Sequence, residues 1–135
     1  MAHAQQVTFL RTNVKNQPGI LLSILQAIKN KNISLKSLWG FNKPNGDAEL
    51  YVIAKDSDKI KSLWEASGLL VQEGTAFFMK GTDKSGALMK NLLAIANANI
   101  NIKAIHGIAV SGKYGSLLWV DDADVANAAK ALGVK

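Results

Sequence analysis

Two glycines, Gly19 and Gly86, each stand where a short polar turn runs into an apolar segment with helical spacing. A glycine at a helix start leaves the backbone open to close approach, and the first amides of the helix, at the positive end of its dipole, suit a carboxylate. Asn16 and Asp83 each stand three residues earlier and can meet the amino end of the same ligand. The same two side chains can instead cap the helices. Little else in the chain offers chemistry. There is no cysteine, which excludes disulfides, thiol catalysis and thiolate metal sites. His106 falls in a strand segment and reads as a packed or interfacial side chain; His3 is the sole other histidine, so no metal site is expected. Asp121, Asp122 and Asp124 lack calcium-loop spacing and read as hinge and cap residues. No nucleophile stands beside a base and no glycine-rich phosphate loop is present. The chain is therefore expected to be no enzyme, with no catalytic residues and no cofactor.

The elements that must position these turns come from a repeat. Laid over itself at an offset of 67 residues, the distance from Gly19 to Gly86, the sequence matches without a gap. Leu21 meets Leu88, Leu25 meets Leu92, Ile28 meets Ile95, Asn32 meets Asn99, Ile33 meets Ile100, Lys36 meets Lys103 and Gly40 meets Gly107. Agreement at so many apolar and glycine positions marks a duplication, each half one supersecondary unit.

Each half opens with a strand, over 7–13 and 75–80, followed by the turn and a helix whose apolar residues recur at helical spacing. Asn32 and Asn99 end the helices, and second strands are expected over 33–41 and 100–110. Hairpin turns at Pro44-Asn45-Gly46 and Ser111-Gly112-Lys113 lead to third strands over 48–55 and 116–120. Ser57 and Asp124 can each cap a second helix, over 59–67 and 125–132. A fourth strand over 69–73 completes the first half. The fold class expected is α+β: two ferredoxin-like βαββαβ repeats, residues 1–73 and 74–135, with antiparallel sheets and helices on one face, the second repeat lacking a full fourth strand. The strand over 75–80 is left with an open edge, to be covered by the other half or by a second subunit. Trp39, Trp64 and Trp119 read as core or interface residues.

A strand followed by Asn16-Gln17-Pro18-Gly19-Ile20-Leu21, a helix and then Asn32-Ile33-Ser34-Leu35 resembles the ACT domain family. The second half repeats the pattern as Asp83-Lys84-Ser85-Gly86-Ala87-Leu88 and Asn99-Ile100-Asn101-Ile102. Nearly the whole chain is covered. The resemblance implies a stand-alone tandem protein, a regulatory and ligand-sensing module that binds amino acids or other small metabolites where two such domains meet. It also implies contacts from the strand-to-helix turn and from the start of the second strand of an adjoining domain. Asn16, Gln17, Gly19 and Ile20 then form one candidate site, and Asp83, Gly86, Ala87 and Leu88 the other, with Asn101 as the matching polar group on the second strand.

Composition sets the outer bounds. Of 135 residues, 48% are hydrophobic and 19% charged, the balance of a globular chain. No apolar run approaches the roughly 20 residues that cross a bilayer, and the first six residues lack the pattern of a signal peptide. A cytoplasmic location and no membrane partner are expected. The formal charge of +6 raises an anionic partner, yet Arg11 is the only arginine and the lysines are scattered, as on a solvated surface. Ferredoxin-like sheets can present aromatics to single-stranded nucleic acid. The Gly-Phe-Gly type of run that does so is missing, and Glu49-Leu50-Tyr51-Val52 stands in its place. The partners expected are thus a small-molecule ligand, an amino acid first, a second copy in a homodimer, and a separate enzyme or regulator. A nucleic-acid-binding module and a ligand-free protein-interaction subunit are the alternatives.

Overall fold

The computed structural model describes residues 3–82 and 86–134. In chain order it contains β1 (His3–Lys15), α1 (Ile20–Asn30), β2 (Leu35–Asn42), β3 (Asp47–Ala54), α2 (Ser57–Ser67), β4 (Gln72–Gly81), α3 (Gly86–Asn97), β5 (Ala104–Val110), β6 (Lys113–Trp119), a 3-10 turn (Asp122–Asp124) and α4 (Val125–Ala131). Two compact units result. The first runs from Thr8 to Gly74; the second joins Thr75 onward to the residues before Thr8.

In the first unit the strands lie in the order β2-β3-β1, all antiparallel. Alternate residues of these strands face the helices. Leu10, Leu50, Val52 and Ala54 pack there against Ile24 and Ile28 of α1 and Ile60 and Trp64 of α2. The second unit repeats the plan with β4-β6-β5, where Phe77, Met79 and Leu118, with Val120 just past β6, meet Ile95 of α3, Ala128 of α4 and Leu132 at its end. Both helices of each unit thus bury their apolar stripe on one sheet face.

The duplication is visible in single hydrogen bonds. The Asn32 amide donates to the Lys29 carbonyl at 2.9 Å and the Ile33 amide to Ile28 at 3.2 Å; the Asn99 amide donates to Ala96 at 2.9 Å and Ile100 to Ile95 at 3.2 Å. Asn32 and Asn99 both adopt left-handed backbone, at φ 56° and 60°. Asparagine tolerates that region better than most residues.

Several boundaries differ from the sequence reading, each for a physical reason. Ile33 and Ile100 close the core after the left-handed Asn, and the second strands begin later, at Leu35 and Ala104. The α2 cap is Asp56, whose carboxylate accepts from the Lys59 amide at 3.4 Å, and Ser57 is the first helical residue. Asp124 precedes α4 without a side-chain cap bond. After β6 only the 3-10 turn and α4 follow among the described residues, so no fourth strand is formed there; β4 is flanked by β1 and β6, which closes its edge.

Gly74 was expected to separate two strands, but β4 runs straight through it. The Phe9 ring requires glycine there: a Cβ at Gly74 would stand 2.5 Å from Phe9 Cζ. Phe9 is buried and cannot swing freely aside. Gly74→Ala is expected to destabilise the protein by about 1–3 kcal/mol through overpacking, read as a lowered urea midpoint; an unchanged midpoint would show that the ring relocates without cost.

A cavity at the start of the first helix

Gly19 takes a left-handed conformation, φ 86°, and α1 begins at the next residue with no side-chain cap. An L side chain is strained at this φ, which explains the glycine. The turn is held by its own backbone: the Ile20 amide donates to the Gln17 carbonyl at 3.2 Å, and the Asn16 amide to Gly46 at 3.2 Å. Asn16 therefore does not cap the helix, and its side chain stays on the wall of a cavity.

That cavity, of about 510 Å³, lies between the first turns of α1 and the helix-facing side of β2 and β3. Its volume is in the range of small-molecule sites, roughly 300–1,000 Å³. Register decides which strand residues face it. Leu38 pairs with Val52, Gly40 with Leu50, and Asn42 with Ala48, and Val14 of β1 pairs with Ala48 too. Since Leu50 and Val52 belong to the core beneath the helices, their partners share that face. Ile20, Leu21 and Ile24 supply the helix side. The same register puts Asn42 at the end of the cavity near Asn16, while Leu38 and Ile24 lie deeper along the strand. One end is thus polar and the remainder apolar.

Glu49 also borders the cavity, but it has the opposite strand parity and its carboxylate is engaged elsewhere. Arg11 Nη1 lies 3.2 Å and Lys43 Nζ 3.3 Å from Glu49 Oε2, and the Tyr51 hydroxyl donates to Oε1 at 2.8 Å. Tyr51 is stacked on Trp39, with ring centroids 5.1 Å apart and an interplanar angle of 7°, and on Phe41 at 6.2 Å. Burial alone would raise the Glu49 carboxyl; the bonds from Tyr51 and Lys43 and the charges of Arg11 and Lys43 outweigh it and hold the group below its ordinary 4.5. Burial, then the bond to Glu49 and its charge, push the Tyr51 phenol up to about 12.

The sign of the pH effect follows. A carboxyl with a depressed folded value contributes stability in full above its unfolded value and loses it as pH falls through the folded one. Glu49→Gln should therefore flatten the fall in thermal midpoint below pH 4.5 while lowering the midpoint at pH 7. Parallel acid limbs for the two proteins would show that the network adds nothing.

Of the residues named from the sequence, Asn16 and Ile20 line this cavity. Gln17 and Gly19 shape the turn without lining it. In the second unit Gly86 is the first residue of α3, Ala87 follows in the helix, and Leu88 packs against the core; Asp83 lies outside the described residues. Asn101 was expected on the second strand but stands exposed, three residues before β5. The sequence reading missed Leu38, Gly40, Asn42, Ala48 and Leu50. Their signal was the period-two alternation of β2 and β3, which assigns a face only once register is known.

No family model matches the sequence, and no curated protein is similar to it in sequence. Solved structures are similar in fold. Protein BT0572 from Bacteroides thetaiotaomicron superposes with a TM-score of 0.80 at 18% identity, covering 99% of this chain and 93% of that one. The ligand-free regulatory subunit of aspartate kinase from Thermus thermophilus gives 0.63 at 16% identity, over 98% and 94%. The corresponding subunit from Thermus flavus gives 0.59 at 16%, over 95% and 90%. This chain has an ACT-type fold. Each ACT-type unit contributes strands and two helices, and the cavity belongs to the first. No helix among the described residues is long and apolar enough to cross a membrane.

Proposed function

We propose that this protein is a non-catalytic, ligand-sensing regulatory protein that binds an uncharged amino acid with an apolar side chain in the α1 cavity. The observation that carries this reading is the division of the cavity wall. Asn16, Asn42 and the first turn of α1 beyond the Ile20 amide stand at one end, where a carboxylate and an amino group can be met. Beyond them the wall is Leu21, Ile24, Leu38, Ala48 and Leu50. The one carboxylate at its border is neutralised by Arg11 and Lys43, so a charged ligand side chain finds no free partner. Solved structures of similar fold are regulatory subunits of aspartate kinase, which supports a role in controlling a separate enzyme. We place the protein in the cytoplasm and propose that it self-associates as a homodimer. The nucleic-acid alternative is weakened by the sheet's other face: Tyr51 stacks on both Trp39 and Phe41, with Glu49 bonded to Tyr51.

Thermal-shift titration with the twenty amino acids tests the reading. A ligand at a hundred times its dissociation constant adds about 2.7 kcal/mol of stability. A shift is expected with leucine, isoleucine or phenylalanine and none with lysine or aspartate. Asn16→Ala should abolish it and leave the fold intact. A shift that survives this change would place the ligand elsewhere, and the absence of any shift would defeat the proposal.

A further inference from the structure

We infer that the duplication has produced one ligand site rather than two, because Tyr114 fills in the second unit the space that is open in the first. The inference rests on the ligand-binding reading above and deepens it. Register gives the correspondence. In the first unit Gly40 pairs with Leu50 and Asn42 with Ala48; in the second Gly107 pairs with Ser116 and Ala109 with Tyr114. Val14 pairs with Ala48 as Gly81 pairs with Tyr114. Tyr114 thus takes the place of Ala48, the small residue at the polar end of the cavity.

The side chain faces the same way as its counterpart. Ile105 pairs with Leu118, a core residue beneath α3 and α4, so Gly107 and Tyr114, two and four residues along the ladder, share the helix-facing side. The phenol reaches along that side to Gly107, since a Cβ built there would collide with the Tyr114 hydroxyl. At the matching Gly40, the atoms nearest to an added Cβ belong to the paired strand, Glu49 O and Leu50 Cδ1, each at 3.1 Å. Tyr114 is half-buried, as a ring lying in the former cavity must be. Two further exchanges alter the same wall. Ser116, at the position of Leu50, is buried and donates to the His106 carbonyl at 3.0 Å, and Asn91, buried, stands at the position of Ile24. The second unit keeps the fold and gives its own side chain to the place of the ligand.

Isothermal titration with L-leucine, and with L-phenylalanine as a second probe, reads the stoichiometry directly. One equivalent per chain is expected in the unaltered protein, and in amide NMR spectra the probe should move Gly40 and leave Gly107 in place. Tyr114→Ala should raise the stoichiometry to two, while Tyr114→Phe, which keeps the ring, should leave it at one. The reciprocal Ala48→Tyr should weaken binding at least a hundredfold with unchanged circular dichroism. Two equivalents in the unaltered protein, or one in a folded Tyr114→Ala variant, would overturn the inference and leave ligand binding itself standing. No heat with either probe in any variant would defeat the reading on which it rests.

Discussion

Replacing Trp64 with alanine is expected to remove about 3–5 kcal/mol of stability, the cost of deleting a fully buried large aromatic. Trp64 is 1% exposed and stands where α2 meets the sheet of the first unit, in the cluster that holds Leu10, Val52 and Ile28. Its carbonyl also ends the helix, accepting from the Leu69 amide at 2.8 Å while Gly68 turns the chain at φ 72°. In the second unit the buried pair at the same spacing is Ala128 and Leu132, which brings no aromatic ring to that place. The first unit thus depends on one ring in a way its twin does not, and a domain's total stability is only about 5–15 kcal/mol. Guanidinium unfolding followed by circular dichroism measures the loss, and hydrogen exchange should show lost protection over residues 8–74. A change below 1 kcal/mol would mean that the neighbours collapse into the vacated volume.

The repeat was legible because local chemistry enforces it. Left-handed asparagines at Asn32 and Asn99 and the apolar helix stripes are written in residue type, and the structure places each where the overlay does. What escaped was non-local. Ala4, Gln5 and Gln6 have little strand propensity of their own, yet β1 begins at His3 because a neighbouring strand supplies the pairing. Strands over 69–73 and 75–80 read as separate, since nothing in the sequence shows that Phe9 occupies the side-chain space at Gly74. Tyr114 was hidden by the constant offset itself. Five residues separate the paired Asn42 and Ala48, and four separate Ala109 and Tyr114, so the overlay sets Tyr114 against Asp47. A turn shorter by one residue moves a strand's side chains between faces on paper, and only register restores them.

Self-association should fail when Ile108 becomes lysine. All seven residues of β5 are exposed, with Ile105 at 45%, Ile108 at 59% and Val110 at 63%, and among the described residues the strand pairs only with β6. Sheet edges are ordinarily blunted by lysine, proline or a bulge. The edge strand of the first unit, β2, follows that rule, with a register shift between Leu35 and Ser37 and Lys36 at the shift. β5 follows none of it. It holds no lysine, arginine, aspartate or glutamate in a chain of net charge +6, so two copies paired there would bring no charged strand residues together. Antiparallel pairing about Gly107 sets Ala104 against Val110, Ile105 against Ala109 and His106 against Ile108, an arrangement that closes on two-fold symmetry. Such a strand pair covers less than the roughly 800 Å² per partner of a standard interface, and the exposed Met89 and Leu93 of α3 offer further apolar area. Sedimentation at micromolar concentration should show a dimer, weakened about 100-fold by Ile108→Lys, or about 2.7 kcal/mol. Leu22→Lys, at an exposed position of the first unit, should leave it unchanged. A dimer indifferent to Ile108 but lost with Leu22 would move the interface to α1, the helix that opens on the cavity, and would make ligand binding and assembly a single event.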